Sequence, residues 1–251
     1  MERIIREMLH LEITRLGTNQ DSAIARRATQ RLRDVADHFP AYQLMLAEPW
    51  LAQNDSHAVA DTLSHCARVH LYARILDDAL DENLPVHRLN LLRAQPMYWR
   101  TISALGACYP QLHRESEALI AQTVQAVSQD DLNPEPVWWS AKNHHLLLAP
   151  LLLSGNSPEY QQARPGLSAV IALTQASDEW SQNVVASPAM ARAVLEHFPL
   201  WLAEDSVQAL QRHGWHGAAE RLLKEGRSLL EKFNPETLHV PYSPPAGRSN
   251  T

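Results

Sequence analysis

SHAVADTLSHCARVHLYARILDDALDE, residues Ser56 to Glu82, continues for about seven α-helical turns without a glycine or a proline. Its Leu, Ala and Arg side chains lose little rotamer freedom in a helix, and Asn54, Asp55 or Ser56 can cap its start. Working outward, Ile4, Ile5, Met8, Leu9 and Ile13 recur with helical spacing up to Gly17. A second helix is expected from Ser22 to His38, a break at Pro40, and a short helix from Ala41 to Leu51. Downstream, helices are expected over Pro85 to Cys108, Leu112 to Ser128, Pro136 to Leu153 with Pro150 as a kink, Glu159 to Val185, Ser187 to His213 and Gly217 to Phe233. With only 8 glycines and no short alternating runs of Val, Ile, Phe and Tyr, the pattern predicts an all-α, single-domain bundle over residues 1–233. The tail, 234–251, is rich in proline, has little to bury, and is expected to be poorly ordered.

A net charge of −6 spread along the chain argues against nucleic acid as a partner, because phosphate neutralisation needs a concentrated basic surface. Met1 to Leu16 carries charges throughout and does not read as a signal peptide. The longest apolar run, Leu146 to Leu153, falls short of the roughly 20 residues a membrane span needs. The two cysteines, Cys66 and Cys108, have neither metal-ligand spacing nor a disulfide framework and read as two buried small hydrophobes. A soluble, cytoplasmic protein is the expectation.

The end of the opening stretch carries the chemistry. On a helix Asp77 and Asp81 share one face, one turn apart, with Asp78 about 100° away. Clustered carboxylates repel one another unless a cation screens them, and Mg²⁺ suits them: it takes one or two carboxylates and completes its shell with waters and phosphate oxygens. Leu71, Ile75, Leu76, Ala79 and Leu80 make the surrounding helix apolar, so the acids interrupt a core-facing segment.

The run from Tyr72 to Glu82 resembles the first aspartate-rich motif, DDxxD, of the trans-isoprenyl diphosphate synthases. Further on, Trp139-Ser140-Ala141-Lys142-Asn143 resembles that family's lysine-threonine helix, and Ala172 to Glu179 resembles the FQxxDD start of its second motif. The likeness covers about Ser64 to Gln182 and is fainter over Ala218 to Phe233. Tyr72-x-Arg74-x-x-Asp77-Asp78 is similar also to the first motif of phytoene and squalene synthases. The resemblance implies long helices around a central cavity, with Mg²⁺ held by Asp77, Asp78 and Asp81 on one wall and Asp178 on the other. It implies Lys142 as the residue neutralising a diphosphate, and Arg74, Gln175, Arg88 and Arg93 as substrate-binding. An isoprenoid diphosphate is the implied substrate, a homodimer the implied assembly, and ionisation of an allylic diphosphate the implied reaction. Trp138, Trp139, Tyr72 or Trp99 would steady the cation if they lined the cavity, or simply pack.

The sequence departs from the family at Gln182, where the second motif has an acid, and in lacking a glycine-glycine-lysine-arginine segment among its first fifty residues. Arg88 and Arg93 stand apart where the family has an adjacent pair. These departures keep a second expectation open, a catalytically silent protein that uses the fold as a binding or regulatory module. Elsewhere, the adjacent His144 and His145 point about 100° apart on a helix, which leaves one to face the cavity beside Lys142. His213 and His216 flank Gly214 without completing a zinc set.

Overall fold

The computed structural model describes residues 1–17, 22–52, 56–81, 84–181 and 187–233. Asn54, Asp55, Glu82, Gln182 and the tail 234–251 lie outside the described residues, so the expectations resting on them are not addressed by it. The chain is all-α. Its helices are α1 (Glu2–Arg15), α2 (Ala23–Leu46), α3 (Ser56–Asp81), α4 (Pro85–Cys108), α5 (His113–Leu132), α6 (Trp138–Ala141), α7 (Leu148–Ser154), α8 (Pro158–Ser181), α9 (Pro188–Trp201), α10 (Glu204–Arg212) and α11 (His216–Lys232). Short 3₁₀ turns lie at Glu48–Trp50, Pro110–Leu112 and His144–Leu147.

Two helices organise the packing. α3 is flanked by α1, α2, α4 and α7, and α8 by α6, α9, α10 and α11. In α8 the run Ala169 to Leu173 is buried on every side, together with Leu167 and Ala176, so the middle of this helix is enclosed while its ends are exposed. One contiguous apolar core joins the two halves, from Ile5 and Leu9 through Leu63, Leu71 and Ile75 to Leu173, Leu222 and Phe233. Trp215 fixes the C-terminal part to α2, its indole N–H donating to the Leu46 carbonyl at 2.8 Å. No helix among the described residues is long and apolar enough to cross a membrane.

Three helix boundaries differ from expectation. α2 passes through Pro40 instead of stopping there. A proline in mid-helix removes one backbone bond and costs about 3 kcal/mol, but Phe39, Pro40, Gln43 and Leu46 are all buried and Gln43 donates to the Leu63 carbonyl at 2.9 Å. Burial of one large apolar side chain contributes about 1.5–3 kcal/mol, so this packing outweighs the lost bond.

The expected helix Pro136 to Leu153 is divided into α6, the 3₁₀ turn and α7. The break at Lys142 and Asn143 places Pro150 in the first turn of α7, where its missing N–H would have no intrahelical partner. Gly155 ends α7 with φ 62°, a conformation that glycine adopts without a Cβ penalty. The expected helix Ser187 to His213 is broken after Trp201, where Leu202 (φ −107°, ψ 48°) leaves the helix and packs on Gly226 of α11. Cys66 is buried as expected, but Cys108, at the end of α4, is exposed.

Candidate functional site

A cleft of about 300 Å³ opens between α3, α5, the Lys142 turn and α8, with Arg31 of α2 at one edge. Asp77 and Asp81 line it from α3, Gln175 and Glu179 from α8, and Lys142, Asn143 and His145 from the turn. Each helix contributes a pair four residues apart, and this spacing puts both members on one face. The turn that interrupts the expected helix at Lys142 is therefore what carries three polar side chains into the cleft.

Lys142 lies between two acids. Its Nζ is 2.8 Å from Asp130 Oδ2 and 3.5 Å from Glu179 Oε1. Burial acts to lower its pKa, yet the Asp130 hydrogen bond and the charges of Asp130, Glu179 and Asp77 together raise it, so the ammonium is held charged. Gln175 fixes the far wall, donating to Glu179 at 2.6 Å and accepting from Asn143 at 3.1 Å.

The acids of α3 have unequal surroundings. Asp78 is only 4% exposed, with Arg31 Nη2 standing 2.7 Å from its Oδ1. That contact is a charge pair without the alignment of a hydrogen bond. Burial pushes the Asp78 pKa above 3.8, against the pull of Arg31, Arg74 and His87. Asp77 pairs with Arg74 at 2.7 Å and is half-exposed. Asp81 sits at the exposed rim, its pKa raised by desolvation and then by the charge of Asp77, with Arg74 and Lys142 opposing. Leu80, expected on a core-facing surface, is 57% exposed at the cleft mouth.

His145 lies at the floor and pairs with His70 of α3. His70 Nδ1 and His145 Nε2 are 3.0 Å apart, and Phe39 stacks on His70 with ring centroids at 3.8 Å. Burial pushes His145 down to about 3, with the charge of Arg74 adding to the effect, and takes His70 well below its ordinary value. Both rings are thus neutral near neutral pH, one donating to the other. His145, the second of the adjacent pair, is the one that lines the cleft; His144 instead faces Ser140 and Gln122.

The structure brings Asp77, Asp81, Arg74, Lys142 and Gln175 together and leaves other sequence candidates apart from them. Asp178 does not line the cleft; it is exposed, and after desolvation its raised pKa reflects Glu225 of α11. Its neighbour Glu179 takes the position on the cleft wall. Arg93 donates to the carbonyls of Leu16 and Gly17 and so closes the end of α1, while Arg88 is exposed on α4 outside the cleft lining. Tyr72 stacks on Tyr98, Trp139 on Trp201, and Trp99 is exposed; neither these nor Trp138 lines the cleft. Arg31 and Asp130 carry no sequence signal, because only tertiary packing brings them to the site. Glu179 did carry one, its four-residue spacing from Gln175.

Among the described residues no three of His, Cys, Asp and Glu converge as a metal-holding group. A Mg²⁺ that keeps its waters and binds substrate phosphates needs only one or two carboxylates, and the mutually repelling Asp77 and Asp81 fit that need. Asp78, buried against Arg31, does not. The chain matches no family model, no curated protein and no solved structure, and the chemistry of the cleft rests on its own residues.

Proposed function

We propose that the cleft binds an allylic isoprenoid diphosphate together with Mg²⁺ and promotes loss of the diphosphate, in the manner of the trans-isoprenyl diphosphate synthases that the sequence resembles. The observation that carries this reading is the pairing of Asp77 and Asp81 on α3 with Gln175 and Glu179 on α8 across one cleft, with Lys142 between them. Asp77 and Asp81 are the residues that would hold the metal, whose contribution is to offset charge on the leaving diphosphate. Lys142, held charged by Asp130 and Glu179, supplies a fixed positive charge for the same group. Arg74 and Gln175 stand within the cleft to orient it. Leu76, Leu80, Val124 and Val127 provide the apolar side on which a prenyl chain can lie away from water. His145, neutral at the floor, places no positive charge against a developing carbocation.

The reading extends to a homodimer in the cytoplasm. Leu89, Leu92 and Trp99 form an exposed apolar row along α4, in keeping with a second copy there, and the unpaired cysteines accord with a reducing compartment.

Calorimetric titration with pyrophosphate and Mg²⁺ tests the reading. Mg²⁺-dependent binding is expected in the native chain and its loss in Asp77→Ala; equal binding by both would overturn the assignment. Incubation with dimethylallyl, geranyl and farnesyl diphosphates, with and without isopentenyl diphosphate, then separates elongation from cyclisation or hydrolysis. Mg²⁺-dependent binding without turnover of any of them favours the silent, ligand-binding alternative.

A further inference from the structure

A second concave surface, about 590 Å³, lies between α1, α3 and α4. Its α3 residues, His65 and Arg68, precede Asp77 by several turns, and Arg68 lies about 180° around the helix from it. The groove is therefore separate from the acidic cleft. It is basic, although the chain as a whole is acidic: Arg15, Arg68 and Arg100 line it, with Glu12 as the one carboxylate.

The arrangement is built rather than incidental. Glu12 is 4% exposed, and its Oε1 accepts from Arg68 Nε at 3.0 Å and from Arg15 Nη1 at 3.3 Å. Its charge is answered twice over, and its position fixes where Arg68 lies. Among the described residues no carboxylate pairs with Arg100. His65 lines the groove beside Arg68, and its Nδ1 is buried without a hydrogen-bond partner. Burial, and then the charge of Arg68, lower the His65 pKa, and Asp61 opposes them. Met97 and Ala104 give the groove an apolar side next to its charged one.

We propose that this groove is a second ligand site, taking the phosphoryl group of a small phosphorylated molecule on the guanidiniums of Arg15, Arg68 and Arg100, with His65 completing the polar wall. Planar guanidiniums match phosphate oxygens two at a time. A surplus of positive charge over Glu12 suits a dianion better than a single carboxylate, which one arginine satisfies. Glu12 is a positioning residue, and Met97 and Ala104 offer a surface for the organic part of the ligand.

Inorganic pyrophosphate in the presence of EDTA is the probe, because binding in the acidic cleft is expected to need Mg²⁺. Titration of the full chain is expected to show binding that Arg100→Ala weakens about tenfold, the double variant Arg68→Ala/Arg100→Ala abolishes, and Lys142→Met leaves intact, circular dichroism confirming that each variant is folded. The His65 imidazole resonances are expected to move on addition of pyrophosphate and its pKa to rise, as the anion offsets the positive charge of Arg68. Acetate at the same concentration is expected not to compete. The proposal is overturned by absence of binding in EDTA, by binding that Arg100→Ala leaves unchanged, by loss of binding in folded Lys142→Met, by unmoved His65 resonances, or by equal competition from acetate. None of these outcomes depends on catalysis in the acidic cleft, so this site and the proposed function stand or fall separately.

Discussion

Asp81 stands one turn from Asp77 at the rim of the cleft, and desolvation and then the charge of Asp77 raise its pKa, with Arg74 and Lys142 only partly offsetting them. Like charges at this spacing cost a helix about 0.2–0.5 kcal/mol, so Asp81→Asn is expected to raise the urea midpoint slightly at neutral pH. The same change is expected to weaken Mg²⁺-dependent pyrophosphate binding, because it removes one of the two carboxylates proposed to hold the metal. A gain in stability joined to a loss of binding is the signature of residues kept for a ligand, whereas loss of both would mark Asp81 as structural.

The direction of its pKa gives a pH test. The folded value lies above 3.8, so the native state holds the proton more tightly than the unfolded chain does. The stabilising contribution is full below the unfolded value and is lost as pH rises through the folded one. Unfolding midpoints measured at about pH 4 and about pH 6 are expected to fall less between the two in Asp81→Asn than in the native chain. Lys142→Met works in the opposite direction on stability: it leaves Asp130 and Glu179 without their shared cation, and a loss of about 1–3 kcal/mol is expected in denaturant unfolding. At this scale the sequence revealed the acids and Lys142, whose types and spacing are local. It did not reveal Arg31 or Asp130, which reach the site only because α2 and α5 pack beside α3 and the Lys142 turn.

Among the helices, α8 and α10 make the closest approach at a glycine. A Cβ on Gly166 would lie 2.7 Å from Leu210 Cγ and 2.9 Å from the Ser206 carbonyl oxygen, backbone that cannot rotate away. Gly166→Ala is therefore expected to destabilise by about 1–3 kcal/mol, read from the denaturant midpoint, although alanine has the higher helix propensity. An unchanged or higher midpoint would mean that α10 is free to move off α8.

The face of α4 offers a second element-scale test. Leu92 is 69% and Trp99 64% exposed; the proposed homodimer predicts a native dimer in sedimentation velocity that Leu92→Glu with Trp99→Glu converts to a monomer, and a native chain that sediments as a monomer, or a dimer that survives both changes, would overturn that reading of α4. Helix existence was legible from the lack of glycine and the apolar spacing, as α3 illustrates. The ends were less so, because Pro40, Asn143 and Leu202 are decided by burial of Phe39, by the Asn143 bond to Gln175, and by packing on Gly226. None of those contacts is local in sequence.

For the whole molecule, a ligand that bridges α3, the Lys142 turn and α8 ties together the two halves that these helices organise. Binding to the native state alone stabilises by about 2.7 kcal/mol at a ligand concentration one hundred times its Kd. For a chain of 251 residues each kcal/mol moves the Tm by about 2–4 °C, so pyrophosphate with Mg²⁺ is expected to raise it by roughly 5–11 °C. The measurement belongs in the Arg68→Ala/Arg100→Ala background, where binding in the basic groove is expected to be abolished, and is compared with pyrophosphate in EDTA. In that background Asp77→Ala is expected to remove the Mg²⁺-dependent part of the rise while leaving the unliganded Tm close to its parent, since Asp77 is half-exposed and its partner Arg74 remains hydrated. A rise of equal size with and without Asp77 would mean that the acidic face of α3 holds no metal, and the cleft would then be read from Lys142 and Arg74 alone, as a simple anion pocket.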